Sequence, residues 1–139
     1  MTSTTTFLQT RARPSARTSA SNLKILLVDD DADMRLYLRG CLRPFSPHTI
    51  QEAANGREAL DRIHERRPDL IISDVVMPEF DGLGLCRALQ KDAEFSSIPI
   101  LLISGESASV DGLSDGWLQK PFNAAVLRKE VERLLGSSP

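Results

Sequence analysis

From Leu23 onward the apolar residues alternate between two periods. A short run, "KILLV" at 24 to 28, is followed by "ADMRLYLRGCLR", in which Met34, Tyr37, Leu38, Cys41 and Leu42 fall on one helical face before Pro44 stops the pattern. A strand and then a helix are predicted. "HTIQEA" (48 to 53) is a weaker strand, and Asn55-Gly56 punctuates it before "REALDRIHERR", whose Ala59, Leu60 and Ile63 form a narrow stripe. "DLIIS" (69 to 73) gives a third strand, with a helix through Leu83, Cys86 and Leu89 after it. "IPILLIS" (98 to 104) and "GWLQ" (116 to 119) give the fourth and fifth. "NAAVLRKEVERLL" closes the series with Leu127, Val131, Leu134 and Leu135 at helical spacing.

Strands that read as continuous apolar runs are buried on both faces, and helical crossovers between them force a parallel sheet with right-handed connections. The prediction is therefore an α/β, doubly wound, five-stranded parallel sheet. In such a sheet ligands bind beyond the carboxyl ends of the strands. Asp29, Asp30 and Asp31 stand after the first strand, Asp74 after the third, Ser104 and Gly105 at the end of the fourth, and Lys120-Pro121 after the fifth. These groups converge on one edge. Carboxylates a few Å apart raise one another's pKa unless a cation intervenes, and an all-oxygen cluster suits a hard ion such as Mg²⁺. Three negative charges on Asp29, Asp30 and Asp74 would be balanced by Mg²⁺ and the Lys120 ammonium.

Composition narrows the class without changing this picture. At 139 residues, 41% apolar and 26% charged, the chain has room for one domain. The first 22 residues are rich in Ser, Thr and Arg and nearly devoid of core formers, so a disordered tail over 1–22 is expected, with an organellar transit peptide as the rival reading. That tail carries Arg11, Arg13 and Arg17 and no acid, so the body is three charges more acidic than the −2 of the whole chain. An acidic body argues against a nucleic-acid surface. No apolar run is long enough for a membrane span, so no membrane partner and a cytoplasmic location are expected. Cys41 and Cys86 lack CxxC spacing and read as core thiols; His48 and His64 read as surface residues. Gly82-Leu83-Gly84 has no third glycine and is not a dinucleotide loop.

Taken together, "ILLVDDD", "SDVVMPEFDG", "LLIS" and "LQKPF", in this order and at these strand ends, resemble the receiver domain of two-component response regulators, from Lys24 to about Leu135. The resemblance implies the flavodoxin-like strand order 2-1-3-4-5 and a receiver domain over 23–136; since "GSSP" follows directly on the last helix pattern, no output domain is expected. It implies a phosphoacceptor, Asp74, that takes a phosphoryl group from a phosphohistidine on a sensor histidine kinase or phosphotransfer protein. Lys120 would bind the phosphate, and Mg²⁺ would be held by Asp30, Asp74 and the backbone carbonyl of Val76, with Asp29 acting through water. Ser104, Gly105 and Trp117 would form the switch that changes a partner-binding surface. A cis Lys120-Pro121 bond would turn the ammonium inward. Such a protein is a self-phosphorylating switch, not a turnover enzyme, and a monomer or weak dimer with an unknown downstream protein target is expected. A chemotaxis-like messenger and a phosphorelay intermediate both remain open.

Plainer readings stand beside these. Asp30 or Asp31 could cap the first helix, Asp74 could be a loop acid, Lys120 a solvated lysine, and Trp117 simple rim packing. Two features depart from the family pattern. "GESASVDGLSDG" is a short, Gly- and Ser-laced crossover, so a shortened or irregular fourth helix is expected between the fourth and fifth strands. Trp117 is larger than the Tyr or Phe usual there. Val76, apolar and two residues after Asp74, suggests slow loss of the phosphoryl group. The rival functions are a Mg²⁺-dependent phosphatase of the dehalogenase type, which needs an acid where Val76 stands, and a phosphorylation-independent interaction module.

Overall fold

The computed structural model describes residues 23–45, 48–77, 80–105 and 114–136. Five strands, β1 (Leu23–Val28), β2 (His48–Ala53), β3 (Leu70–Asp74), β4 (Ile100–Ser104) and β5 (Gly116–Gln119), form one parallel sheet in the order β2-β1-β3-β4-β5. Among the described residues there are four helices, α1 (Ala32–Cys41), α2 (Gly56–Glu65), α3 (Gly82–Gln90) and α4 (Ala124–Leu134). The crossover between β4 and β5, where a shortened helix is expected, falls largely in 106–113 and lies outside the described residues, as does the 1–22 segment.

The period of two along each strand sorts the core into two layers. Ile25, Leu27, Leu70, Ile72, Leu101 and Ile103 pack with α1 and α4 through Leu38, Cys41, Leu127 and Val131. Leu26, Val28, Ile71 and Leu102 face the other way, against Ala59, Ile63, Leu85, Cys86 and Leu89 of α2 and α3. Every residue of β3 and β4 is buried, which is why both read as unbroken apolar runs. Both cysteines are buried free thiols.

All four helices begin on a side-chain cap. Asp31, Asn55, Asp81 and Asn123 each accept a backbone N–H from the first turn of the helix that follows. Glu58 adds a second bond at the start of α2, its carboxylate accepting the Ala54 N–H at 2.7 Å.

Three local expectations are corrected. The fourth strand begins at Ile100 rather than Ile98, because Pro99 has no N–H and only its carbonyl joins the ladder, accepting from Ile71 at 3.0 Å. The third strand runs to Asp74 itself, which pairs with Ile103. Tyr37 is 43% exposed at the margin of the α1 stripe, where its hydroxyl donates to the Phe122 carbonyl at 3.2 Å.

Candidate functional site

The sheet's carboxyl edge is built by one extra ladder bond per segment. Asp29 N–H donates to Ala53 O at 3.0 Å, Val75 N–H to Ile103 O at 2.8 Å, and Lys120 N–H to Ser104 O at 2.7 Å. Each bond carries strand geometry one residue past a strand and fixes the direction in which a polar side chain leaves the sheet. Asp29, Asp74 and Lys120 are thereby set around one cleft.

Within it, carboxylate oxygens of Asp29, Asp30 and Asp74 all lie within 4.8 Å of one another. Asp29 is 1% exposed and Asp74 8%, while Asp30 is open to solvent. The Lys120 ammonium stands 3.5 Å from Asp74 Oδ1, and the Lys120–Pro121 peptide is cis. Burial pushes the Asp29 carboxyl up to about 6, with the charges of Asp74 and Asp30 adding to the rise and the Asp31 amide and Lys120 opposing it. Asp74 is also raised, first by burial and then by the Asp30 charge, against the pull of Lys120 and the Val75 amide. A cluster of oxygen donors that is desolvated and self-repelling fits a hard divalent cation such as Mg²⁺.

The remaining predicted residues are distributed around this centre. Ser104, the last residue of β4, is 1% exposed, and Gly105 follows it at the surface. Trp117 sits one strand further out, paired with Leu102 and packed against the α2/α3 core layer, its Nε1 buried with no hydrogen-bond partner among the described residues. Val76 is 69% exposed, two residues beyond Asp74. Asp31 caps α1 and accepts the Asp33 N–H at 2.9 Å, so it belongs to the helix. His64 is exposed, its Nδ1 2.8 Å from Leu60 O and its ring edge-on to Phe95; His48 opens β2.

Two residues that shape the cleft have no visible signal in the sequence. Gly82 opens α3 directly beneath Asp74, where a Cβ would lie 2.3 Å from the Asp74 carbonyl oxygen. Read along the chain, Asp81-Gly82 marks only a turn. Arg35 lies on the polar side of the α1 stripe, yet its Nη1 donates to Asp29 O at 2.5 Å.

The response regulator receiver domain model matches residues 25–132. The chain is 38% identical over 119 residues to the response regulator MprA of Mycolicibacterium vanbaalenii, covering 81% of this chain and 50% of the relative. It thus spans half the length of that regulator, and 8% of a histidine kinase of Formosa agariphila to which it is 35% identical over 117 residues. The signal receiver domain of a signal transduction histidine kinase from Syntrophus aciditrophicus superposes with a TM-score of 0.74 at 36% identity, covering 82% of this chain and 90% of that one. Chemotaxis protein CheY4 of Vibrio cholerae gives a TM-score of 0.74 at 32% identity, with 82% and 99% covered. With the acidic cleft at the carboxyl edge of a 2-1-3-4-5 sheet and a family match over most of its length, this chain belongs to the response regulator receiver domains of two-component signalling.

Proposed function

We propose that the domain receives a phosphoryl group on Asp74 from a phosphohistidine of a sensor kinase or phosphotransfer protein. Receiver domains are signalling switches rather than turnover enzymes, and they interact with proteins of those two kinds. The observation that carries the reading is the convergence of three carboxylates with the Lys120 ammonium, 3.5 Å from Asp74, at one end of the sheet.

In this reading a carboxylate oxygen of Asp74 forms the new bond to phosphorus as the phosphorus–nitrogen bond of the donor breaks, and the imidazole leaves. The end of β3 presents that oxygen in a fixed direction, because Asp74 is held in register with Ile103. Asp30, Asp74 and the Val76 carbonyl would hold Mg²⁺, with Asp29 behind them, and the ion would supply charge neutralisation for the equatorial oxygens of a loose transition state. Lys120, which pairs with Asp74 before transfer, would add its positive charge to the same oxygens. After transfer the Ser104 hydroxyl and the Gly105 amide contact the new phosphoryl oxygens, which biases the segment after β4 between two arrangements. Trp117, on the neighbouring strand, reports or follows that bias.

Incubation with a small phosphodonor and Mg²⁺ tests this. The expected product is an acid-stable, hydroxylamine-labile adduct present in the parent and missing in Asp74→Asn. An equal adduct in that variant removes Asp74 as the acceptor.

A further inference from the structure

Asp29 is held at three points. Its N–H is bonded to Ala53 O, its Oδ1 accepts the Asp31 N–H at 2.9 Å, and its carbonyl accepts Arg35 Nη1 at 2.5 Å. The first two follow from strand and helix-cap geometry. The third does not, because it reaches back from the body of α1 to the main chain of the cleft.

Arg35 is itself fixed. Its Nε donates to Glu52 Oε1 at 2.6 Å, near the end of β2, and its side chain is only 18% exposed. The second Glu52 oxygen is taken by Arg39 Nε, one helical turn away on α1, and the Glu52 carbonyl accepts Arg62 Nε at 3.2 Å. Glu52 is thus gripped on both carboxylate oxygens and on its backbone. Its carboxyl is correspondingly held below the usual range, first by the Arg39 bond and then, against some burial, by Arg35. The arrangement runs Arg39, Glu52, Arg35, Asp29, from the outer face of α1 to the cleft.

We propose that Arg35, braced by Glu52, is a positioning residue for the acidic pair, so that the cation affinity of the cleft depends on a side chain that touches neither cation nor phosphoryl group. This rests on the proposed function above. Three crowded carboxylates push one another apart, and the segment between β1 and α1 is the part of the cleft that carries two of them. A tether on the Asp29 carbonyl resists that push without occupying an oxygen that a cation would use. Glu52 offsets one of the two guanidinium charges it binds, so Arg35, Arg39 and Glu52 together bring one positive charge rather than two near a site that must attract a cation. The job requires arginine: Nε and Nη1 bond two acceptors at once in one plane, which an ammonium on a flexible stem does not reproduce. A merely structural ion pair between α1 and β2 would alter stability and leave the affinity unchanged.

The test is a magnesium titration of the whole chain followed by the amide resonances of Asp29 and Asp30, beside urea unfolding, in the parent, Arg35→Lys and Arg39→Lys. Arg39 shares the Glu52 acceptor and the same helix but does not touch Asp29. The expected result is a dissociation constant raised about tenfold in Arg35→Lys and within about twofold of the parent in Arg39→Lys. Equal affinity in Arg35→Lys and the parent overturns the proposal, and so does an equal loss in both variants, which would mean general loosening of α1 against β2. Should Arg35→Lys not fold, Glu52→Gln takes its place, with weakened magnesium binding expected and unchanged binding overturning the brace. A parent that shows no magnesium response at all overturns the receiver-type site itself, a failure distinct from equal binding by parent and variant.

Discussion

Replacing Asp29 by asparagine should stabilise the metal-free protein at alkaline pH while weakening its hold on magnesium. Asparagine keeps an oxygen in place of Oδ1 to accept the Asp31 N–H, and it removes one of three crowded charges. In the folded protein the Asp29 carboxyl is pushed from 3.8 to about 6, so folding disfavours its ionised form by about 3 kcal/mol once the pH is well above 6. Solvent screening at the mouth of the cleft, and the desolvation of the new amide, reduce the expected gain to about 1–2 kcal/mol. The sign follows from linkage. The folded state binds this proton more tightly than the unfolded chain, so the parent is favoured at low pH and loses stability as the pH rises from about 4 through 6. Urea unfolding in a chelator, followed by the emission of the single tryptophan, Trp117, gives the comparison. At pH 8 the variant should exceed the parent, and at pH 5 the gap should be about half as large, because folded Asp29 is then mostly protonated. Saturating magnesium should stabilise the parent more than the variant and close or invert the gap. A variant less stable than the parent at pH 8 without metal, or a gain independent of pH, would refute the view that burial and like charge strain this cleft.

Other consequences can be measured directly. Lys120→Met removes the ammonium 3.5 Å from Asp74 and should slow phosphorylation by a small donor about 100-fold, with magnesium titration separating loss of charge from loss of fold. Gly82→Ala drives a Cβ against the Asp74 carbonyl, a backbone atom that cannot rotate away, and should cost about 1–3 kcal/mol in urea unfolding; a change under about 0.5 kcal/mol would show that the backbone yields easily. Val76→Asn, at a side chain 69% exposed, should leave stability within about 0.5 kcal/mol and shorten the life of the Asp74 phosphoryl group by orienting water; an unchanged decay rate removes that role.

What was legible in the sequence is what depends on local pattern or on the ends of elements. Apolar runs announced β3 and β4 because both faces of those strands are covered, and the acids were identifiable because they stand where such runs stop. Asp31 was legible as a cap for the same reason. Tyr37 was misplaced because helical spacing defines a stripe but not how far the neighbouring α4 and Phe122 extend over it; the tyrosine lies at the edge, 6.0 Å from the Phe122 ring centroid. Gly82 and Arg35 escaped notice because their significance is a close approach to a backbone carbonyl at the end of the preceding strand, which no periodicity in the sequence records. A glycine after aspartate reads as a turn, and an arginine on a polar helix face reads as solvated, until the Asp74 and Asp29 carbonyls are seen beside them. The Phe80 contacts have the same character: its carbonyl accepts the Gly56 N–H at 3.0 Å and its ring lies where a Cβ on Gly56 or Gly84 would fall.

The two sides of the cleft are held to different degrees, and the difference fits the proposed task. On the acceptor side, Asp29 is bonded at its N–H, carbonyl and carboxylate, Asp74 lies within a fully buried strand, and Gly82 packs against the Asp74 carbonyl. On the other side, Lys120 reaches Asp74 at 3.5 Å, beyond the usual N–H···O range, and Gly105 is exposed, with no described atom within 4 Å of the place a Cβ would take. Transfer of a group demands reacting atoms set in advance, since small misplacement slows reaction steeply. Sensing the transferred group demands an element with two arrangements of similar energy, which a closely packed segment lacks. In the proposed reading, receipt would fall to Asp29 and Asp74, whose backbones are tied down, and response to Gly105 and Lys120, which are held less closely.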